Sequence, residues 1–92
     1  MTEKVMELGE RRRITLKIWL EDDKAFTPLA PTWELSKAYE VIEQGECIQA
    51  QDGTRWELTA EVEPKGRGDY RLTYQFGIGT EIIRRSIKLK VV

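Results

Sequence analysis

The sequence predicts an all-β domain, an antiparallel sandwich of about seven short strands. Three observations lead there. Tyr70, Leu72, Tyr74, Phe76 and Ile78 are apolar at every second position, with Arg71, Thr73, Gln75 and Gly77 in the gaps. That period of two belongs to a strand with one buried face. After Gly77-Ile78-Gly79-Thr80 a second run follows, with Ile83, Ile87, Leu89 and Val91 on one face and Arg84, Ser86, Lys88 and Lys90 on the other. Two such runs across a short glycine-containing connection read as a β-hairpin. Turn signals recur roughly every 8–12 residues along the rest of the chain, the spacing of a sandwich or barrel.

At 92 residues the chain is one domain, 1–92, large enough for a modest core. Hydrophobic residues make up 40% and charged residues 34%, which separates it from disordered sequences. The net charge is −1, from 15 basic and 16 acidic residues, so no global field draws nucleic acid or anionic lipid. There is no histidine, which removes the commonest general base and the usual zinc ligand. Cys47 is the single cysteine; no intramolecular disulfide forms, and the residue reads as a small buried hydrophobe. The first residues lack the apolar core of a signal peptide, and no run approaches the roughly 20 apolar residues of a membrane helix. The expectation is synthesis in a cytoplasm, no cofactor, no metal, no membrane and no nucleic-acid partner.

In chain order, Met1 to Gly9 carries little pattern and reads as a flexible tail. Ile14, Leu16, Ile18 and Leu20 alternate with Thr15, Lys17, Trp19 and Glu21, a strand whose outer face holds an unusually large ring, Trp19. Glu21-Asp22-Asp23-Lys24 is a polar break without the spacing of a calcium loop. Phe26 to Pro31 contains two prolines, which remove ladder donors. It reads as a crossing between sheets, with Phe26 or Leu29 anchored inward, and not as a central strand. Thr32 to Ala38 begins a strand with Trp33 and Leu35 on one face, which Tyr39-Glu40-Val41-Ile42 continues or restarts. A short helix over Trp33 to Gln44 is the competing assignment, weakened by Trp33, Tyr39 and Val41. Glu43 to Glu46 reads as a turn, Cys47 to Ala50 as the return, and Asp52-Gly53 as a second turn. Trp56, Leu58, Ala60 and Val62 alternate with Glu57, Thr59, Glu61 and Glu63. Pro64 to Gly68 is a loop.

Candidate chemistry is sparse. Arg67-Gly68-Asp69 spells an integrin-binding tripeptide, but its residues are ordinary turn formers. Arg11-Arg12-Arg13 and Arg84-Arg85 offer charge to phosphate without aromatic platforms at regular spacing. Arg85 interrupts the inner face of the last strand, which implies a bulge or an escape at a sheet edge. Tyr70 opens the penultimate strand directly after a loop. In immunoglobulin-like sandwiches a tyrosine at that place forms the "tyrosine corner", bonding its hydroxyl to nearby backbone. This makes the expected sandwich immunoglobulin-like and Tyr70 its candidate corner.

The order Gly9-Glu10-Arg11-Arg12, Phe26, Thr32-Trp33-Glu34-Leu35, Gly45-Glu46-Cys47, Pro64, Gly68-x-Tyr70-x-Leu72 and Ile78-Gly79-x-Glu81 resembles small immunoglobulin-like sandwich proteins encoded among bacteriophage and prophage structural genes. The resemblance runs from Gly9 to Val91. It implies a non-enzymatic structural or interaction role, protein partners from a phage particle or a second copy, and incorporation in a virion. The alternative is a module that binds carbohydrate or a cell surface, with Trp19 as a stacking residue. Under the first reading Trp19 is a candidate interface residue, since tryptophan is enriched in hot spots. Its counterpart is a Trp19 covered by the Phe26 to Pro31 segment or by the N-terminal residues.

Overall fold

A computed structural model of the chain describes residues 3–92 and contains eight strands: β1 (Glu3–Met6), β2 (Arg12–Ile18), β3 (Leu29–Lys37), β4 (Glu40–Glu46), β5 (Ile48–Asp52), β6 (Arg55–Val62), β7 (Gly68–Ile78) and β8 (Glu81–Val91). They form two sheets, a five-stranded one in the order β1-β8-β7-β3-β4 and a three-stranded one in the order β2-β6-β5. The alternating residues of each strand explain the stacking. Leu35, Leu58, Ala60, Val62, Leu72, Tyr74 and Leu89 are all but inaccessible between the sheets, and Trp33, Tyr70, Phe76 and Val91 complete the layer. Leu16, Trp56 and Ile87, expected in the core, pack against its margin. Each apolar face removed from water supplies the driving force, at roughly 25 cal/mol per Å².

The expected β7–β8 hairpin is present, with an unbroken register from Gly68↔Val91 to Ile78↔Glu81. The β2–β6 pairing runs from Arg12↔Val62 to Ile18↔Trp56. No helix forms over Trp33 to Gln44.

Four expectations need correction. The N-terminal segment is not a flexible tail from Glu3 onward: β1 pairs in parallel with β8, Glu3↔Lys88 to Met6↔Val91, and Met6 is buried. Four residues with one inward side chain give too short a pattern for periodicity to register. (The same reading of residues 1 and 2 lies outside the described residues.) Glu43 to Glu46 is not a turn but the second half of β4; the chain turns earlier, at Ala38-Tyr39, both with positive φ. It then crosses to the other sheet at Cys47, whose N–H bonds the Pro31 carbonyl at 3.0 Å. The prolines do not keep Leu29 to Pro31 out of a central strand. Leu29 to Pro31 open β3, which lies between β7 and β4, and the β3–β7 register slips between Leu29 and Thr32, where Ala30 has φ 43°. The bulge accommodates the missing donor of Pro31. Finally, the tripeptide Arg67-Gly68-Asp69 does not sit on a loop tip. Gly68 and Asp69 are strand residues paired with Val91 and Lys90.

Phe26 to Pro28 does carry the chain from the small sheet to the large one. Phe26 packs against the core margin and its carbonyl accepts the Trp56 indole N–H at 2.7 Å, while Leu29 stays half exposed.

Candidate functional site: the Trp19 end of the sandwich

Trp19 follows the last residue of β2 and is 54% exposed. Neither the Phe26 to Pro31 segment nor the described N-terminal residues bury it. One face of its ring carries the Arg55 guanidinium, 4.8 Å from the ring centroid, and Arg55 also pairs with Asp23 at 3.2 Å. This cation–π contact fixes the ring at the surface without hiding it.

The ring borders an open cleft of about 300 Å³ between the ends of the two sheets. Its apolar lining comes from Ile18, Phe76, Ile78 and Ile83, and Lys17, Glu81 and Arg85 stand around the rim. On the outer face of the same hairpin, Leu29, Gly77 and Ile82 form one row across three strands. Ile82 is 71% and Leu29 52% exposed, and Leu29 lies close over Gly77, its Cβ 3.3 Å from where a side chain there would begin. Sequence reasoning singled out Trp19 but not Leu29 or Ile82. Leu29 belongs to the segment expected to anchor inward, and Ile82 falls by alternation on the outer face with Arg84 and Ser86, where a single isoleucine carries no signal of its own.

Arg85 occupies an inward position between Ile83 and Ile87, but its side chain is exposed. The β7–β8 ladder has no bulge there, so the arginine escapes at the edge of the sheet. Its guanidinium bonds the carbonyl of Arg84 at 2.9 Å. Arg84 itself pairs with Glu34 at 3.8 Å.

The other flagged residues lie elsewhere. The Tyr70 hydroxyl donates to the Gly66 carbonyl at 2.8 Å, four residues upstream in the β6–β7 connection, which is the bond a tyrosine corner makes. Arg11 and Arg13 are engaged by glutamates at the end of β6 and just beyond it: Arg11 by Glu63 at 3.1 Å and Glu61 at 3.7 Å, Arg13 by Glu61 at 3.6 Å. Lys65 and Arg11 hold the Glu63 carboxyl below its usual range. These are exposed pairs and contribute little stability each. Glu21–Asp23 is a short, exposed 3-10 turn, and among the described residues no group of acidic, cysteine or histidine side chains gathers as around a metal ion. Burial pushes the Cys47 thiol up to about 11, so it stays protonated near neutrality.

The strand order defines the class. β2, β6 and β5 occupy the places of B, E and D in an immunoglobulin-like sandwich, and β4, β3, β7 and β8 those of C′, C, F and G. The chain is an immunoglobulin-like β-sandwich domain. No protein-family model and no curated protein matches it. Solved structures do. An engineered protein known from a crystal structure superposes on 99% of this chain with a TM-score of 0.63 at 14% identity, and this chain spans 18% of that one. The twitchin kinase region from C. elegans superposes on 99% of the chain with a TM-score of 0.48 at 13% identity, and the chain spans 15% of it. Likeness at such identity concerns the fold alone.

Proposed function

We propose that the domain is a non-catalytic protein-interaction module that meets its partner through the end carrying Trp19. The observation that supports this is Trp19, 54% exposed at the border of an apolar cleft lined by Ile18, Phe76, Ile78 and Ile83; Leu29 and Ile82, also at least half exposed, lie on the outer face of the hairpin. An exposed aromatic ring at the border of an apolar cleft has the anatomy of an interface centre, where a large ring fills or borders a partner's pocket. The phage or prophage setting rests on the sequence resemblance. The carbohydrate reading uses the same ring, but the Arg55 guanidinium already stacks on one of its faces.

Co-expression with the products of the flanking genes tests both the setting and the surface. A complex that survives size-exclusion chromatography, and that is lost on Trp19→Ser while the melting temperature of the free domain holds, is the expected result. A complex indifferent to Trp19→Ser, Leu29→Ser and Ile82→Ser together overturns the proposal.

A further inference from the structure

The free edge of β8 carries this reading further. Among the described residues β1 covers only Lys88 to Val91, and Glu81 to Ile87 pair on one side alone, with β7. The backbone direction of those residues follows from the hydrogen bonds at the end of the strand. Val92 gives its N–H to the Met6 carbonyl and accepts the N–H of Leu8, both at 2.9 Å. Even-numbered positions therefore turn their backbone groups toward the β1 side, and the unbroken register carries this alternation up the strand. Ile82, Arg84 and Ser86 thus present their N–H and C=O groups at the open edge. The Arg85 guanidinium on the Arg84 carbonyl agrees with that direction and caps the group.

We infer that this edge accepts an extended segment of the partner protein, which adds a strand beside β8, carries alternating apolar residues and brings a carboxylate to Arg85. The inference rests on the reading of the Trp19 end as the interaction surface. Three features select this occupant. Continuity is the first: β1 already uses the lower half of the same edge, so an added strand completes a row of bonds that is half made. The second is the floor. Side chains of the added strand that point inward meet Ile18, Phe76, Ile78 and Ile83, with Trp19 at the margin. Charge is the third: Arg85 stands at the rim opposite the carboxylate of Glu81, and Lys17 stands beside it, itself 3.9 Å from Glu57. When a partner N–H takes the Arg84 carbonyl, the Arg85 guanidinium is released to that partner's carboxylate, and a charge-assisted bidentate pair replaces a neutral acceptor.

A second copy fits less well. Two β8 edges paired about a two-fold axis at Arg84 set the Arg84 side chains opposite each other and the Arg85 side chains on a diagonal, and like charges so placed repel. An inward-pointing charge on an edge strand guards against such self-pairing.

The test uses the whole chain, labelled with 15N, and two synthetic probes: an N-acetylated peptide in which valine and threonine alternate around one aspartate, and the same peptide with lysine in place of aspartate. Titration with the aspartate peptide is expected to shift the amide signals of Ile82, Arg84 and Ser86 and to slow their hydrogen exchange, while the lysine peptide binds several-fold more weakly. Arg85→Ser is expected to erase the difference between the two peptides without changing the melting temperature. Equal binding of both peptides to wild type overturns the proposal, as does protection that appears at the β4 or β5 edge instead. Movement of the Trp19 indole signal without protection of the three edge amides overturns the added strand but leaves the surface reading in place. A concentration-dependent dimer whose own edge amides are protected in the absence of peptide overturns the choice of partner.

Discussion

The hydroxyl of Tyr74, on β7, donates across the core to the carbonyl of Ile14, on β2. It is a direct polar tie between the two sheets, and it lies where water is excluded. A phenol buried in this way resists ionisation: burial, with a smaller contribution from Cys47, raises its pKa well above the ordinary value near 10.

Replacing Tyr74 by phenylalanine leaves the Ile14 carbonyl without its donor at a cost of about 1–3 kcal/mol. The pH dependence follows from the same burial. A pKa raised in the folded state gives stability that is complete below the unfolded value and is lost as pH rises toward the folded one. Cys47, raised to about 11, begins to withdraw its contribution above about pH 9, and Tyr74 follows above about pH 10. Urea titrations from pH 7 to 11 should therefore show stability falling steadily at the alkaline end, and less steeply for Tyr74→Phe. An unchanged slope in the variant would exclude Tyr74 as a source of the decline.

Tyr70 is tied more locally. Its hydroxyl satisfies Gly66 in the connection between β6 and β7, and Lys37 lies 5.3 Å from its ring centroid while bonding the Arg67 carbonyl. Tyr70→Phe removes the bond to Gly66, leaving Lys37 on Arg67 in place, and should cost about 1–3 kcal/mol by denaturant titration. A phenylalanine variant as stable as the native chain would deny the corner an energetic role.

Leu72 sits at the centre of the large sheet, opposite Leu35 and Ile87, with no exposed surface. Leu72→Ala should cost about 2–5 kcal/mol, since neighbours from two strands cannot all close on the void. In a domain whose whole stability is of order 5–15 kcal/mol this is a large fraction. A change near zero would place Leu72 outside the core.

The β3–β4 turn runs the other way. Ala38 and Tyr39 hold φ of 51° and 67°, and the Tyr39 ring is fully exposed. Such two-residue turns favour asparagine and glycine, because a Cβ in the left-handed region costs roughly 1–2 kcal/mol. The double substitution Ala38→Asn with Tyr39→Gly should raise the melting temperature by several degrees, with the far-ultraviolet spectrum unchanged. A lower melting temperature would mean that the tyrosine ring contributes more to folding than its exposure implies.

Local pattern along the chain is enough for the sheet-forming runs, the β7–β8 hairpin, the inward faces of β2, β3, β6 and β7, and the tyrosine near the start of β7. All of these are local: alternation along one strand states which side chains leave water, and a glycine-containing connection states where the chain reverses. Trp19 stood out for the same reason, as a large ring out of phase with its neighbours. The tertiary structure decided what depends on distant partners. β1 exists because β8 offers an edge to four residues too few to show a period. The turn falls at Ala38-Tyr39, and not at Glu43 to Glu46, because the Leu35↔Glu43 pairing and the bulge beside it fix the register. Leu29 and Ile82 flank Gly77 only because both pair with it. The open half of β8 is likewise a consequence of how far β1 reaches, since a strand's free hydrogen-bonding groups are set by which neighbour lies beside it, and no residue type encodes that.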